Sequence, residues 1–254
     1  AARGVVRRYG SGRGGAAGQL DTPSGVAADG QFVYVADSGN CRVTVFRRLE
    51  RSHWEDIGTS GACGTEASPM RRVSDVALDG SGNLYVADPE RHVVFRRTAV
   101  PPRTFGVGFG AIDVPYLTDD AHFNGPEGVA AAADGMRYVV EGAGHRLLKL
   151  GPDDAARWTV GEAGVADLHL DDPADVALSA AGEVVVVERG ASRLRRFAAA
   201  DGAPLGAWGG PGTAAGRFDA PSGLGAAADG RLAVADTGNA RVQVLDAGGA
   251  VVQV

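Results

Sequence analysis

Short apolar runs with a period of two recur along the chain. Residues 42–46 and 241–245 alternate polar and apolar side chains and are rich in β-branched residues, which is typical of a half-buried strand. We find no run that keeps the 3.6-residue period of an amphipathic helix. The 39 glycines and 12 prolines interrupt the chain too often for long helices. The pattern therefore predicts an all-β fold.

One sequence motif opens five copies of a repeat. Four copies carry a proline two residues before a Gly or Asp, at residues 20–27, 123–130, 170–177 and 218–225, and a weaker copy at residues 70–77 has Val73 in place of the proline. A Gly-containing turn and a β-rich run follow, and the run ends in an acid: Asp37, Asp88, Glu141, Glu188 and Asp236. The acids are 51, 53, 47 and 48 residues apart, which suits one four-stranded blade per repeat. The sequence predicts a β-propeller with five recognisable repeats.

The repeats span approximately residues 20–66, 67–119, 120–167, 168–215 and 216–254, and we expect one domain over residues 1–254. An aromatic-Gly segment such as Trp208-Gly209 supplies the fourth, outer strand of a repeat. Residues 5–10 and 18–20 match the outer strand and linker at residues 205–218, so residues 1–19 are expected to belong to a preceding blade. Residues 249–254 also have the pattern of an outer strand. Two arrangements are open: a five-bladed ring with a redundant edge strand, or a six-bladed ring whose first three strands lie upstream of residue 1.

The repeat resembles a known family. The pattern Pro-Ser-Gly-Val-Ala, followed by Val-Tyr-Val-Ala-Asp-Ser-Gly-Asn-x-Arg-Val, is similar to the NHL repeat, best at residues 20–46 and 218–245. The second repeat departs most, because residues 88–93 lack the Gly-Asn turn and the aligned arginine. The resemblance implies four-stranded antiparallel blades, and it favours the six-bladed ring because NHL propellers usually have six blades. In the family, including TRIM-NHL proteins, such propellers often follow a RING or B-box in ubiquitin ligases.

The composition argues against several classes of function. A chain of 254 residues with 44% hydrophobic residues can form a sizeable core. The formal net charge of −6 argues against a dominant phosphate-binding surface. No window approaches 18 uninterrupted apolar residues, so we expect a soluble, monomeric domain outside the membrane, with the cytoplasm favoured although the N-terminus without Met looks incomplete. Cys41 and Cys63 are too few for a disulfide framework or a Cys-based zinc site and leave one disulfide open.

Acid–arginine pairs recur across the turn between the second and third strands. Four repeats have them: Asp37 with Arg42, Glu141 with Arg146, Glu188 with Arg193 and Asp236 with Arg241. A feature present in four of five blades is symmetric, whereas a catalytic site needs different roles to converge at one place. We therefore interpret the pairs as structural contacts that staple the turn, each worth roughly 0.5 kcal/mol if exposed.

The first residues of the inner strands are expected to surround one mouth of the central channel. They are Ser24, Ser74, Glu127, Ala174 and Ser222, followed in turn by Gly25, Asp75, Gly128, Asp175 and Gly223. In the peptidyl-amidating lyases, which resemble this repeat, histidines at this place bind zinc. None of the five first residues is a histidine, which disfavours zinc-dependent lyase chemistry.

Three carboxylates of this ring offer an alternative. Glu127, Asp75 and Asp175 could face one another and bind a hard cation such as calcium, which prefers oxygen ligands. The competing interpretation is that an Asp at a strand start caps nearby backbone N–H groups. We expect no cofactor, with calcium as the candidate exception.

Arginine clusters near the ends of third strands could form an RNA-binding face, as in the NHL propellers of some TRIM proteins. They are Arg47, Arg48 and Arg51; Arg96, Arg97 and Arg103; and Arg195 and Arg196. The acidic total and the near absence of aromatic residues among them for base stacking favour a charge-balanced surface instead. The five histidines, His53, His92, His122, His145 and His169, show no shared phase, so we expect linker roles and no ligand set.

The sequence thus favours a non-enzymatic protein-interaction platform with an unknown protein partner. It could be the substrate-recognition propeller of a larger ubiquitin-ligase-type protein, in which ligase activity would need a domain outside this chain. The first alternative is a metal-dependent hydrolase or lyase that uses Glu127, Asp75 and Asp175. The second is an RNA-binding propeller, with Arg47, Arg48, Arg96 and Arg97 as candidate contacts; nucleic acid and membrane are otherwise not expected partners.

Overall fold

Five antiparallel sheets make up the described part of the chain. A computed structural model describes residues 9–16, 18–47, 54–57, 70–98, 105–110, 122–161 and 168–254. Within these ranges each sheet has four strands in sequential order. Two short 3-10 helices, Ser38–Asn40 and Thr237–Asn239, follow the second strands of the first and last sheets. The all-β prediction and the β-propeller architecture are confirmed, with five blades.

The strands follow one another from the inside of each blade to the outside. Blade I contains β1 (Pro23–Ala28), β2 (Phe32–Asp37), β3 (Arg42–Arg47) and β4 (Trp54–Ile57). Blade II contains β5 (Asp75–Leu78), β6 (Leu84–Asp88), β7 (Val93–Arg97) and β8 (Phe105–Gly110). Blade III contains β9 (Pro126–Ala131), β10 (Arg137–Glu141), β11 (Arg146–Leu150) and β12 (Ala156–Val160). Blade IV contains β13 (Pro173–Leu178), β14 (Glu183–Glu188), β15 (Arg193–Ala198) and β16 (Pro204–Gly209), and blade V contains β17 (Gly223–Ala226), β18 (Leu232–Asp236), β19 (Arg241–Leu245) and β20 (Val251–Gln253).

Local sequence explains the turn between the first and second strands. In blade I, Asp29 Oδ1 accepts a hydrogen bond from Gln31 N at 2.7 Å. In blade II, Asp79 Oδ1 accepts one from Ser81 N at 2.9 Å. An Asp side chain that binds the backbone two residues ahead favours a tight turn. The inner strands β1, β9 and β13 begin with proline, which fits the first residue of a strand because it has no N–H to donate.

The hydrophobic core lies between neighbouring blades. Separate clusters join blade I to II, II to III, III to IV and IV to V, with fully buried side chains such as Val86, Leu148, Val186 and Phe218. A strand sheet with two apolar faces needs a neighbour on each side, and stacked blades provide it. The inner strands accordingly contact one another in the succession β1, β5, β9, β13 and β17.

Within the described ranges, no hydrophobic cluster joins blade V to blade I. On their facing sides, Val26 of β1 is 66% exposed, and Val242 of β19 is 55% exposed. We call the region between blades V and I the open side of the ring. A sixth blade is not seen among the described residues. No helix in the described ranges has the length and apolar character needed to cross a membrane.

Some residues singled out by the sequence lie outside the described residues. They are residues 1–8, Arg48, Arg51, His53, Cys63 and Arg103. Cys41 is disulfide-bonded. Its position, four residues after Asp37, has a left-handed backbone with φ of +51°.

Candidate functional site at the channel mouth

Each acid at the end of a second strand is buried and holds the linker that enters its blade. In blade I, Arg42 Nε donates to Asp37 Oδ2 at 2.8 Å, and both side chains are buried. Asp37 Oδ1 accepts the N–H of Asp21 at 2.6 Å, while Arg42 Nη2 donates to Gln19 O at 2.9 Å. The pair therefore ties the turn after β2 to the linker before β1.

The same arrangement recurs in the other blades that have the arginine. Arg146 Nε lies 2.5 Å from Glu141 Oε2, Arg241 Nε lies 2.7 Å from Asp236 Oδ2, and Arg193 Nε donates to Glu188 Oε2. Arg146 Nη2 donates to His122 O and Arg241 Nη2 to Arg217 O, so these arginines also bind linker carbonyls. The acid–arginine pairs are thus contacts that join the turn after the second strand to the linker before the first.

Blade II lacks the aligned arginine and binds its linker through Asp88. Asp88 accepts N–H groups of Arg71 at 2.7 Å and of Arg72 and Arg91 at 3.2 Å. Burial raises the pKa of the Asp88 carboxyl, and the three N–H groups and the charge of Arg91 lower it only in part. The departure of the second repeat from the family pattern therefore has a measurable electrostatic consequence.

A cavity of about 570 Å³ opens at the mouth of the channel. The five predicted first residues of the inner strands all line it. The residues that contribute are Thr22, Pro23, Ser24, Ser38, Arg72, Ser74, Asp75, Glu127, Ala174, Asp175, Arg189, Ser222, Gly223 and Ala235. All five blades take part, so a ligand here would be held by side chains of different repeats.

Two carboxylates lie in the cavity wall close to the axis. Asp75 Oδ2 accepts the N–H of Val129, in the next blade, at 2.9 Å. Asp175 Oδ2 accepts the N–H of Leu224, also in the next blade, at 2.6 Å, and its Oδ1 accepts the N–H of Val176 at 2.7 Å. Each Asp side chain therefore hydrogen-bonds the inner strand of the next blade and links the two blades near the axis.

Glycines make room for these side chains. A Cβ atom on Gly25 would lie 2.3 Å from Asp75 Oδ1 and 2.7 Å from Asp75 Cα. A Cβ atom on Gly128 would lie 2.8 Å from Asp175 Cα. Contacts below 3.0 Å to a backbone atom cannot be relieved by a side-chain rotation. Gly25 and Gly128 therefore cannot be replaced by a residue with a Cβ atom unless the neighbouring inner strand shifts.

The axial carboxylates differ from ordinary aspartates in their pKa. Burial raises the pKa of Asp175 to about 7, against the hydrogen bonds from Leu224 and Val176, which lower it. Burial, together with the charge of Asp175, raises the pKa of Asp75 well above its ordinary range. Among the described residues, neither carboxylate forms a salt bridge with a cationic side chain. Protonation of Asp175 therefore changes near neutral pH.

Two arginines lie at the rim of the cavity. Arg72 Nη2 contacts Glu127 Oε2 at 2.8 Å, and the Arg72 side chain is 44% exposed. Arg189 donates from Nε and Nη2 to the two oxygens of Asp172, at 2.7 and 2.8 Å, and its side chain is 39% exposed. The hydrogen bonds from Arg189 lower the pKa of Asp172, and those to Asp172 raise the pKa of Arg189, which Glu127 also raises.

The three carboxylates proposed for calcium all line this cavity, but each has another partner. Glu127 is ion-paired with Arg72, and Asp75 and Asp175 accept backbone N–H groups. In the part of the chain that the structure describes, no three side chains of His, Cys, Asp or Glu lie close enough to hold one metal ion. Calcium binding at Glu127, Asp75 and Asp175 stays a prediction.

The candidate RNA-binding arginines have contacts of several kinds. Arg96 Nη1 lies 3.4 Å from Asp154 Oδ2. Arg195 packs its guanidinium over the Phe197 ring at 5.0 Å, and Arg196 packs over the Trp208 ring at 4.3 Å. Arg47 and Arg97 also have interaction partners. These side chains therefore contribute to the packing of the outer strands.

The expectation that the histidines share no phase is wrong for two of them. His92 and His145 each lie four residues after the acid of their blade, with φ of +58° and +55°. His92 Nδ1 accepts the N–H of Gly125 at 3.2 Å, and His145 Nδ1 lies 3.1 Å from Leu170 O. Both side chains thus reach the linker of the next blade. Counting from the acid would have revealed the shared position, which is linked to packing between blades.

Sequence reasoning missed the two rim arginines. Arg189 directly follows the acid Glu188, where the other repeats have Ser38, Pro89, Gly142 and Thr237. Arg72 comes two residues before Ser74, in the weakest copy of the motif. Both positions vary between repeats, and a position that faces the axis but varies is a candidate for ligand contact. This variation was the available signal.

The fold and the cavity define a β-propeller with an axial, charged mouth. The NHL repeat matches residues 20–46 and 218–245, in blades I and V. The chain therefore carries NHL repeats, as the sequence pattern predicted. No curated protein sequence matches the chain.

Solved structures with the same fold belong to proteins of different kinds. A streptogramin B lyase is 14% identical, with a TM-score of 0.66, over 91% of this chain and 68% of the lyase chain. A gluconolactonase from Xanthomonas campestris is 20% identical, with a TM-score of 0.66, over 90% of this chain and 74% of the other. A chain of a nidogen/laminin complex is 14% identical, with a TM-score of 0.67, over 91% and 78%. At these identities the similarity establishes the fold and leaves function to the site.

Proposed function

We propose that this propeller is a non-enzymatic interaction module that binds an acidic peptide segment of a partner protein at the channel mouth. The observation that carries the proposal is the pair of rim arginines: Arg72 and Arg189 border the same cavity, and both side chains are partly exposed. A guanidinium has five N–H donors and binds carboxylates through two of them at once. Acidic side chains are therefore the chemistry that this rim fits best.

The rest of the mouth suits recognition of a polar chain. Ser24, Ser74 and Ser222 supply hydroxyl groups around the cavity, while Glu127 lies beside both arginines. Because Glu127 competes for Arg72, an incoming carboxylate can exchange with it without leaving a cation unpaired. The similarity to a chain of the nidogen/laminin complex supports the proposal, since that propeller fold occurs in an assembly of two proteins.

A peptide-binding experiment tests the proposal directly. The probe is a set of labelled eight-residue peptides that differ in their number of Asp and Glu residues, with Lys-rich peptides of equal length as the comparison. We expect preferential binding of acidic peptides and a loss of about tenfold or more in affinity for Arg72→Gln and for Arg189→Gln. Glu127→Gln is expected to raise the affinity, because it removes the competing carboxylate.

Arg231→Gln is the matched control, since Arg231 pairs with Asp229 on an exposed turn between the first two strands of blade V. It should leave binding unchanged. Equal affinity for acidic and Lys-rich peptides, or equal losses in the rim and control variants, would refute the proposal.

The second candidate is a metal-dependent hydrolase or lyase at the same mouth. It is supported by Asp175, whose pKa near 7 is suited to accept a proton at neutral pH from within a cavity. A ligand that binds only the folded state raises its stability, so calcium or zinc should raise the thermal midpoint if this candidate is right. Asp175→Asn should then abolish the shift. A midpoint that does not respond to either metal favours the interaction module.

The proposal extends to the number of blades and to the larger protein that the propeller serves. We place the five blades in a six-bladed ring, because the open side leaves Val26 and Val242 exposed on its two flanks. A role as the substrate-recognition propeller of a ubiquitin-ligase-type protein fits acidic-peptide binding but needs a catalytic domain outside this chain. RNA binding is the weaker alternative; it predicts an affinity that falls steeply with salt and weakens when Arg96 and Arg97 are reversed in charge.

A further inference from the structure

Each axial aspartate accepts hydrogen bonds from two neighbouring blades. Asp175, in blade IV, accepts the N–H of Val176 in its own blade and of Leu224 in blade V. Asp75, in blade II, is hydrogen-bonded by Val76 in its own blade and by Val129 in blade III. Blades II and IV therefore carry an acid, and blades III and V carry a glycine and depend on the blade before them. The inner strands have a period of two blades.

Blade I is of the glycine type. Gly25 occupies the position of Gly128 and Gly223, and the next residue, Val26, corresponds to Val129 and Leu224. By the same rule the N–H of Val26 needs a carboxylate from the blade that precedes it, on the open side. The hydrogen bonds of the described residues place no carboxylate there, and Val26 is exposed.

Steric limits and hydrogen bonding decide which type of blade fits the open side. If two neighbouring blades both carried an Asp, the Cβ atom of the first Asp would collide with the backbone of the second. A Cβ atom at Gly25 or Gly128 would collide with the next blade in the same way. Two neighbouring glycine blades would leave one inner N–H without an acceptor, which is costly near the axis. A single acid-bearing blade between V and I satisfies both conditions.

The linker before β1 shows the direction from which the polypeptide arrives. Gly14 N donates to Leu20 O at 3.1 Å, and Arg13 forms a parallel bridge with Leu20. In the linker from β16 to β17, Gly212 N donates to Phe218 O at 2.9 Å, and Pro211 forms the same bridge with Phe218. The second linker leads from the outer strand of one blade to the inner strand of the next. Residues 9–20 therefore have the geometry of a connection from an adjacent blade.

We infer that the open side takes a sixth blade of the acid-bearing type, joined through the linker at residues 9–20, whose inner-strand carboxylate accepts the N–H of Val26. The inference rests on the six-bladed ring proposed above and specifies its chemistry. The exposed side chains of Val26 and Val242 then pack against the two faces of this blade, as the other blades pack on one another. The ring closes as three pairs of an acid blade and a glycine blade.

Amide hydrogen exchange of the chain as it stands gives the first test. The N–H groups of Val129 and Leu224 bind carboxylates, so we expect them to exchange at least about tenfold more slowly than that of Val26. Equal protection of the three amides in a monomer would overturn the inference. Protection of Val26 that appears only as the chain dimerises, followed by sedimentation, would also overturn it, because the occupant would then be a second copy.

An extended chain gives the second test. A copy of residues 168–206, which contain an acid blade up to its outer strand, is placed ahead of Tyr9 in place of residues 1–8. A matched version carries Asp175→Gly in the copy only. Both should raise the thermal midpoint by burying Val26 and Val242, but only the version with the acid should slow exchange at Val26 to the rate of Leu224.

Equal exchange at Val26 in the two extended chains would refute the role of the carboxylate. An unchanged thermal midpoint in both would refute ring closure by a blade. Neither result depends on peptide binding at Arg72 and Arg189, so failure here is distinguishable from failure of the interaction proposal.

Discussion

Two buried aspartates in this propeller, Asp236 and Asp175, have pKa values shifted in opposite directions. Asp236, at the end of a second strand, binds Arg241 at 2.7 Å and the amides of Asn239 and Gln243 at 2.9 Å. Although burial raises its pKa, these hydrogen bonds and that of Asp219 N lower the pKa below the ordinary value. Asp175, near the axis, accepts backbone N–H groups of Val176 and Leu224 within the described part of the chain, and burial raises its pKa to about 7.

The difference shows which positions hold the scaffold and which can respond to a ligand. Asp236, which is paired with Arg241, has a lowered pKa and therefore stays charged near neutral pH, where it binds the N–H of Asp219 in the linker. A carboxylate that binds only backbone N–H groups beside a cavity changes its protonation in that range. Repeated acid–arginine pairs therefore mark structure, whereas the positions that differ between blades mark the mouth.

The largest expected effect is the loss of an acid from a buried pair. Asp37→Ala leaves Arg42 buried without its partner and frees the N–H of Asp21, so we expect a loss of about 3–5 kcal/mol in the free energy of unfolding. Urea denaturation measures it. Asp229→Ala, on an exposed turn, is the control and should leave the midpoint unchanged. Similar midpoints for the two variants would show that the buried pair does not stabilise the fold.

A smaller effect is expected where an axial glycine gains a side chain. Gly128→Ala places a Cβ atom 2.8 Å from Asp175 Cα and 3.0 Å from Val140 Cγ2, so the inner strands must shift, at a cost of about 1–3 kcal/mol. Gly225→Ala, in the inner strand β17, has no atom within 4 Å of the added Cβ and should be tolerated. Thermal unfolding compares them. Equal stability of the two variants would contradict the alternation of Gly and Asp.

The pH dependence should have opposite signs in the two regions. Since the folded pKa of Asp175 exceeds its ordinary value of 3.8, the folded state binds the proton more tightly, and stability falls as the pH rises from about 4 to 7. Asp175→Asn should flatten this part of the curve. For Asp236 the folded pKa is lowered, so its contribution is present above 3.8 and is lost as the pH falls further. Denaturation of the unchanged protein and of Asp175→Asn at several pH values measures both effects. Parallel curves of stability against pH for the two proteins would refute the role of Asp175.

The smallest effect is expected for the rim pair of Arg189 and Asp172. Both side chains are partly exposed, so a double-mutant cycle with alanine should give a coupling of less than about 1 kcal/mol that decreases with salt. Unfolding in low and high salt measures it. A coupling as large as the loss expected for Asp37→Ala would mean that the rim is part of the scaffold and not a ligand surface.

The repeats and strands were predictable because they depend on local patterns. The third strands expected at residues 42–46 and 241–245 occur as Arg42–Arg47 and Arg241–Leu245. The first residues of the inner strands were also placed at the mouth by counting alone, since the repeat brings equivalent positions to the same end of every blade.

The electrostatics of the site were not predictable in this way. The raised pKa values of Asp75 and Asp175 result from burial between blades, which the sequence does not display. Arg72 and Arg189 face the cavity because of their position relative to two other blades, and neither belongs to the recurrent pattern. The Gly–Asp alternation was visible in the sequence, but its cause is a close approach in three dimensions.

The most direct test of this account is a side-chain carboxyl NMR titration of Asp175 and Asp236 in the folded protein. The account predicts that Asp175 titrates near pH 7 and Asp236 below 3.8. Titration of both carboxyls in one common range near pH 4 would contradict the distinction between the scaffold acids and the axial acids.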